Sequence, residues 1–155
     1  MTAPSVVPTV PTIDPEAIRI FCDVVFGYLE GFVPVRFISE KGTPAKPPHS
    51  EFHKTAGLAD RLVAMAPPAA DDQRAVYVVP GTVAKPGSAR ASDIQQTGVL
   101  LIDLDIGDIT AKRAHLINHL SAPALEIASG GTTAEGATKL HLYWRLNEAA
   151  QGGGL

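Results

Sequence analysis

The chain has 155 residues, of which 45% are hydrophobic, 19% charged and 6% aromatic, and its formal net charge is -3. So high an apolar fraction with so little net charge excludes whole-chain disorder, and the length suits one domain with one core. A single cysteine, Cys22, excludes a disulfide framework and a cysteine-built zinc site, and no apolar run approaches the ~20 residues that cross a bilayer.

A pI near 5.9 argues against nucleic-acid binding over the whole surface but leaves room for a local basic groove. The N-terminus has no basic-then-apolar leader, so a cytoplasmic protein without membrane attachment is expected. Residues 1–13, with Pro4, Pro8 and Pro11, read as a flexible tail, and 14–155 as the single domain. Asp14-Pro15-Glu16 opens a helix that Asp14 caps. Its apolar positions, from Ala17 to Leu29, keep helical spacing, and Gly31 marks its end.

Val33 to Ser39 reads as a strand, with Pro34 at its start or on an edge. Lys41 to Ser50, with three prolines, is a loop. A short helix is expected from about Thr55 to Met65, stopped by Ala66-Pro67-Pro68. Ala75 to Val79 is a strand, Gly81 to Ser88 a Gly/Pro loop, and Val99 to Leu104 the most apolar strand. Thr110 caps a helix to Leu120, and Ala124 to Ala128 and Lys139 to Leu146 are strands joined by a glycine-rich connection. Gln151 to Leu155 are expected to fray. The order is α-β-α-β-β-α-β-β, an α/β chain without repeats.

Asp103 and Asp105 stand two apart at the end of an apolar strand, so they share one face while Ile102 and Leu104 point to the other. Two carboxylates so placed repel unless a hard divalent cation sits between them. The plain alternative is a strand ending in polar turn residues, which suits Asp108. The glycine pair Gly130-Gly131, with Ser129, lets backbone N–H groups approach a phosphate, or is simply a hairpin tip. On the last strand His141, Tyr143 and Arg145 form a polar working face, and Leu140, Leu142, Trp144 and Leu146 a buried one. Trp144 is assigned to the core.

Leu101-Ile102-Asp103-Leu104-Asp105, followed by Ser129-Gly130-Gly131 and by Leu140-His141-Leu142-Tyr143-Trp144-Arg145-Leu146, resembles the archaeo-eukaryotic primase superfamily. The similarity is to its phage and plasmid primase-polymerase branch, which includes the replication-protein-B-like primases. Val76-Tyr77-Val78-Val79-Pro80, a basic Gly/Pro loop and Asp93 also fit, so the resemblance spans Arg36 to Leu146. It implies an RNA-recognition-motif-like mixed sheet with a small α/β N-terminal part, the open face of the sheet carrying Asp103, Asp105 and His141. It implies a nucleotidyltransferase in which Asp103 and Asp105 bind Mg²⁺ or Mn²⁺ and His141 contacts the phosphates of a nucleoside triphosphate. Ser129, Gly130, Gly131 and Lys139 would line the same pocket. Arg36, Lys85 and Arg90 would face single-stranded DNA template, and a helicase domain or protein would be a partner. Lys41, Lys46 and Lys54 are further candidates for such a basic groove, against the plain reading of a solvated surface.

The chain departs from that pattern twice. Thr132 to Thr138 lengthens the connection to the histidine, and Lys139 replaces a small residue. The family's third metal carboxylate lies beyond another helix, whereas the only acid after His141 is Glu148, seven residues on. A domain truncated at its C-terminus is therefore expected, and two other readings stay open: an inactive nucleotide- or DNA-binding module of the same fold, and a metal-dependent nuclease or phosphotransferase. A relaxase-type nickase is disfavoured. His49 and His53 stand beside Pro47-Pro48, which spoils helical metal geometry, and His115 and His119, four apart on a helix, lack a third ligand and read as a solvated face.

Overall fold

The Asp14 carboxylate accepts hydrogen bonds from the backbone N–H groups of Glu16 (3.0 Å) and Ala17 (3.1 Å) and so starts α1 (Pro15–Phe26). Pro15 takes the first helical position, where its missing donor would be unsatisfied anyway. The helix closes at Gly27, earlier than the expected Gly31. Tyr28 and Leu29 belong to the turn beyond it, in which the Leu29 N–H bonds the Phe26 carbonyl at 2.9 Å, and Leu29 still reaches the core. The computed structural model describes residues 12–152. Most of the expected tail and of the expected frayed end lies outside the described residues.

The strand β1 (Phe32–Ser39) pairs with β2 (His49–Lys54) along one edge. Along its other edge it pairs with β3 (Arg74–Val78) and, at Phe32, with β4 (Thr82–Val83). Pro34 is thus inside a central strand, not at its start or on an edge. A strand residue that bonds its neighbour turns its nitrogen and its carbonyl the same way. The Pro34 carbonyl accepts from Val79 N–H at 3.0 Å, so the donorless nitrogen faces the break between β3 and β4, where no ladder bond is lost. β4 and the first two residues of β2 fall where loops were expected, and the rest of β2 where no element was expected. β2 (His-Ser-Glu-Phe-His-Lys) is too polar to announce itself, and β4 is only two residues long.

The second helix, α2 (Leu58–Asp71), runs through Pro67 and Pro68 instead of stopping before them. A proline inside a helix costs about 3 kcal/mol. Both prolines are exposed, and Ala69, 6% exposed, docks the last turn on the core. Tertiary packing overrides the local preference there. β5 (Ile94–Leu104) is followed by α3 (Ile109–Leu120), whose cap is Asp108, accepting from Ala111 N–H at 2.9 Å, rather than Thr110. β6 (Leu125–Thr132) and β7 (Thr138–Gln151) complete the order.

All strands join one seven-stranded sheet, β2-β1-β4-β5-β7-β6, with β3 also on β1. Every pairing is antiparallel, which corrects the expected mixed sheet. The N-terminal strands are part of that sheet, not a separate packed unit. α1, the turn after it and α2 cover one face through Val25, Phe26, Leu29, Leu58 and Leu62 against Val33, Val35, Phe37, Val99 and Tyr143. α3 covers part of the other through Ile109 and Leu116 against Leu104, Leu142 and Trp144. The outer face of β1 and β3 keeps Ile38 and Tyr77 42% and 55% exposed. The chain is therefore α+β, a curled antiparallel sheet with three helices. No helix among the described residues is long and apolar enough to cross a membrane.

Candidate functional site

Antiparallel pairing of β5 with β7 sets Asp103 directly opposite His141, and β6 sets Ile127 on the other side of the histidine. The three side chains form one row across the end of the sheet. Asp103 Oδ1 lies 3.5 Å from His141 Nε2, with the side chains 56% and 33% exposed. Behind His141 is Tyr143, its ring centroid 6.4 Å away and edge-on, and Tyr143 packs edge-on against Phe21 of α1 at 5.9 Å. Burial raises the Tyr143 phenol above its ordinary value, and the Asp103 charge adds to the rise. The histidine thus bridges an exposed carboxylate and a dry aromatic wall.

That wall corrects the expected working face. Tyr143 is only 5% exposed, and Leu142 and Trp144 on the other side are buried as well. Both faces of β7 are covered because α1 packs on one and α3 on the other, so Trp144 is core as expected, its indole N–H donating to the Ser121 carbonyl at 3.1 Å. Arg145 lies on the surface with its guanidinium carbon 5.2 Å from the centre of the Tyr28 ring. Asp103 and His141 belong to the helix-covered face, at an end that the helices leave open, and not to the sheet's open face.

Asp105 follows the last residue of β5 and is exposed at the turn into α3. Lys139 and Ser129 are half-buried and, by strand alternation, on the His141 side of β7 and β6. Gly130 and Gly131 are not the hairpin tip. The register jumps from Ala128↔Leu140 to Thr132↔Thr138, so the pair forms a bulge within β6. Their φ angles are +82° and +105°, and nothing lies within 4 Å of where a Cβ would stand, which leaves this backbone open to a ligand. The tip is Thr133–Ala137, closed by Thr133 N–H to the Ala137 carbonyl at 2.8 Å.

Among the described residues no three His, Cys, Asp or Glu side chains form a preformed metal group. The donor set still fits Mg²⁺ or Mn²⁺: Mg²⁺ commonly takes one or two carboxylates and completes its shell with water and substrate phosphate. Asp103 and Asp105 supply hard oxygen donors. Glu148 cannot join them, since it lies seven residues beyond His141 on β7, roughly 23 Å of extended strand.

Arg36, Lys85 and Arg90 are not part of this row. Arg36 alternates with Val35 and Phe37, which point into the core under α1 and α2, so it faces the opposite side of the sheet. Its Nη2 donates to the Ala89 carbonyl at 2.6 Å and holds the loop that bears Lys85 and Arg90. Arg36 and the loop it holds thus lie on the side of the sheet away from Asp103.

A polar network at the other end of the sheet escaped the sequence reading. His49, Glu51 and His53 share one side of β2; Glu51 lies 2.9 Å from His53 and 3.9 Å from His49. Arg74 donates to His49 Nδ1 at 3.2 Å and to Asp72 at 2.6 Å, and Lys46 also pairs with Asp72. The hydrogen bonds from Lys46 and then Arg74 hold the Asp72 carboxyl below its ordinary range. The signal is the period-two spacing His-x-Glu-x-His, which puts the three side chains on one side of a strand. His115 and His119 lie on the exposed side of α3 with ring centroids 4.2 Å apart and the rings tilted by 35°, and His119 Nδ1 is 2.8 Å from the His115 carbonyl, a solvated face as expected. No family model matches the chain, and no match is found among curated proteins or among solved structures.

Proposed function

We propose that the chain is a primase-polymerase-type nucleotidyltransferase core that binds a nucleoside triphosphate and a divalent cation at the Asp103 end of the sheet. The observation that carries this reading is the juxtaposition of Asp103 and His141, 3.5 Å apart on neighbouring strands and accessible to solvent. Two segments 38 residues apart in sequence, each singled out by resemblance, meet there. On this reading the three central strands and the flanking helices are an RNA-recognition-motif-like platform, and the chain acts on a single-stranded DNA template, alone or beside a helicase.

Asp103 and Asp105 would hold Mg²⁺ or Mn²⁺, which when bound neutralises phosphate charge and lowers the pKa of an attacking hydroxyl. His141 donates from Nε2 to a phosphate oxygen, held in place by the Tyr143 edge behind it. The open backbone at Gly130 and Gly131 adds N–H donors, and Lys139 a positive charge, on the same end. A second reading, a binding module of this fold without polymerase activity, is favoured by the distance of Glu148 from the carboxylate pair.

Calorimetric titration with a nucleoside triphosphate, with and without Mn²⁺, tests the site. Mn²⁺-dependent binding that Asp103→Asn and Asp105→Asn both abolish is the expected result. No binding by a folded wild-type chain would sink the reading. Binding without incorporation of labelled nucleotide on a primed template would select the binding module.

A further inference from the structure

From Leu100 to Leu104 one edge of β5 stands without a partner strand among the described residues. β4 pairs with β5 only at Ile94 and Gln96, and β3, which precedes β4, stays with β1. Paired strands stand about 4.8 Å apart, whereas the Cα atoms of β3 lie mostly beyond 8 Å from those of β5. A residue of an antiparallel strand turns its N–H and its carbonyl to the same side, and its neighbours turn theirs to the other. Every second residue of this stretch therefore offers a donor and an acceptor to the side away from β7.

An apolar groove runs beside that edge. Leu100, Ile102 and Leu104 point to the α3 side of the sheet, as Leu142 and Trp144 do. Ile102 and Leu104, with Ala111 and Leu116 of α3, wall a cavity of about 430 Å³. No residue of β7 lines it, so it follows the free edge of β5, and Leu100, 43% exposed, extends its floor. Lys112 and His115 stand at its rim, and no carboxylate is among its walls. The Lys112 ammonium donates to the Ile106 carbonyl at 2.8 Å and has two further donors to give. Free backbone groups beside an apolar groove suit an extended peptide, whose main chain bonds the edge while alternate side chains fill the groove. The charge narrows the occupant. A second copy offering its own β5 would bring Leu100, Ile102 and Leu104 to this side but no acid for Lys112.

We infer that the Leu100–Leu104 edge of β5 takes up an extended segment of a partner protein as an added strand. Its alternate apolar side chains fill the groove beside α3, and a carboxylate on the same side meets Lys112. The groove lies on the side of the sheet opposite the Asp103 and His141 side chains, so the inference does not depend on the reading proposed above.

The test is fluorescence anisotropy of a labelled peptide, Glu-Thr-Val-Thr-Val-Thr-Glu, with the full chain in EDTA. Extended, it carries both valines and both glutamates on one side. The peptide is expected to bind, and lysines in place of its glutamates to weaken binding about tenfold. In Lys112→Glu, an exposed position, the order of the two peptides reverses. N-methylation of one alternate set of peptide amides weakens binding at least ~10-fold, while methylation of the other set leaves it unchanged, because only one set faces β5. Ile102→Asp, with its fold checked by circular dichroism, loses binding too, and Lys112→Glu keeps the test decisive should that variant not fold. No binding by the wild type at about 1 mM peptide overturns the inference. So does equal response to the two methylated sets, since a peptide that docks without pairing ignores its amides. Equal affinity for the glutamate and lysine peptides overturns the acidic partner. A dimer of the chain alone in sedimentation velocity, dissociated by the peptide, would assign the edge to a second copy and overturn the inference as well.

Discussion

The space above Gly98 belongs to the hydroxyl of Tyr28. A Cβ at Gly98 would lie 3.2 Å from that oxygen and 3.0 Å from the Val25 carbonyl, and the hydroxyl itself is 3.0 Å from the Gly98 carbonyl and 2.7 Å from that of Leu146. The register of β5 against β7 shifts at this point, so the tyrosine serves carbonyls next to a break in the ladder. Tyr28→Phe should therefore destabilise by about 1–2 kcal/mol, because it leaves a part-buried acceptor unpaired. Gly98→Ala should cost at least as much by pushing α1 off the sheet. Urea unfolding of both variants checks this, and additive losses in the double variant would argue against a shared contact.

Among the described residues the one ion-pair approach of Asp103 is to His141, at 3.5 Å, and more than half of its side chain is in solvent. Asp103→Asn is expected to change stability by no more than about 0.5 kcal/mol. Its effect on Mn²⁺-dependent triphosphate binding should be complete. A thermal melt beside the calorimetric titration separates the two, since a structural carboxylate would lose stability and binding together.

Thr82 is fully buried, and its hydroxyl has no hydrogen-bond partner among the described residues. Thr82→Val keeps the branched shape and removes the unsatisfied group. A gain of about 1 kcal/mol is expected, read as a higher urea midpoint at unchanged slope. A loss would mean that the hydroxyl is in fact bonded.

Glu126 and Arg113 form a two-pronged pair at 2.8 and 2.5 Å, and the hydrogen bond from Arg113 holds the Glu126 carboxyl below its ordinary 4.5. A carboxyl depressed in the folded state adds stability above its unfolded value. That contribution disappears as the pH falls from there through the folded value. The pair is largely open to solvent, which screens it, so the contribution is small. The stability difference between wild type and Glu126→Gln should be largest near neutrality and vanish in acid, as denaturant titrations at successive pH values would show. A difference independent of pH would assign the effect to packing.

Burial pushes the Cys22 thiol from its ordinary 9.0 up to about 11. Its thiolate is therefore scarce at pH 8, and labelling by a disulfide reagent should be at least ~10-fold slower in the native chain than in urea. Because the folded value is the higher one, the thiol's stabilising contribution is present below 9.0 and is lost as the pH climbs toward about 11. Cys22→Ala should flatten that alkaline loss. Equal labelling rates in native and unfolded chain would contradict the burial.

Local chemistry was legible in the sequence. Asp14-Pro15 opened α1, the aliphatic run gave β5, and Trp144 was core, since each depends on neighbours within a turn or a strand pair. Pro34 and the Pro67-Pro68 pair misled because their local penalties are offset at a distance, by the break between β3 and β4 and by Ala69 on the core. β2 was invisible because its inward side chains are His49, Glu51 and His53, which meet polar partners, His49 also stacking on the core ring of Phe37 at 4.5 Å.

The same division governs the candidate site. Asp103 and His141 could be picked out one at a time, because an acid pair after four aliphatics and a histidine among leucines are local anomalies. That they face each other, that α1 seals Tyr143 behind them, and that Arg36 turns to the other side of the sheet were decided by the tertiary structure. Alternation along a strand tells which side chains share a face. Which face is then buried, and what stands opposite, depends on pairing and helix packing between residues far apart in the chain.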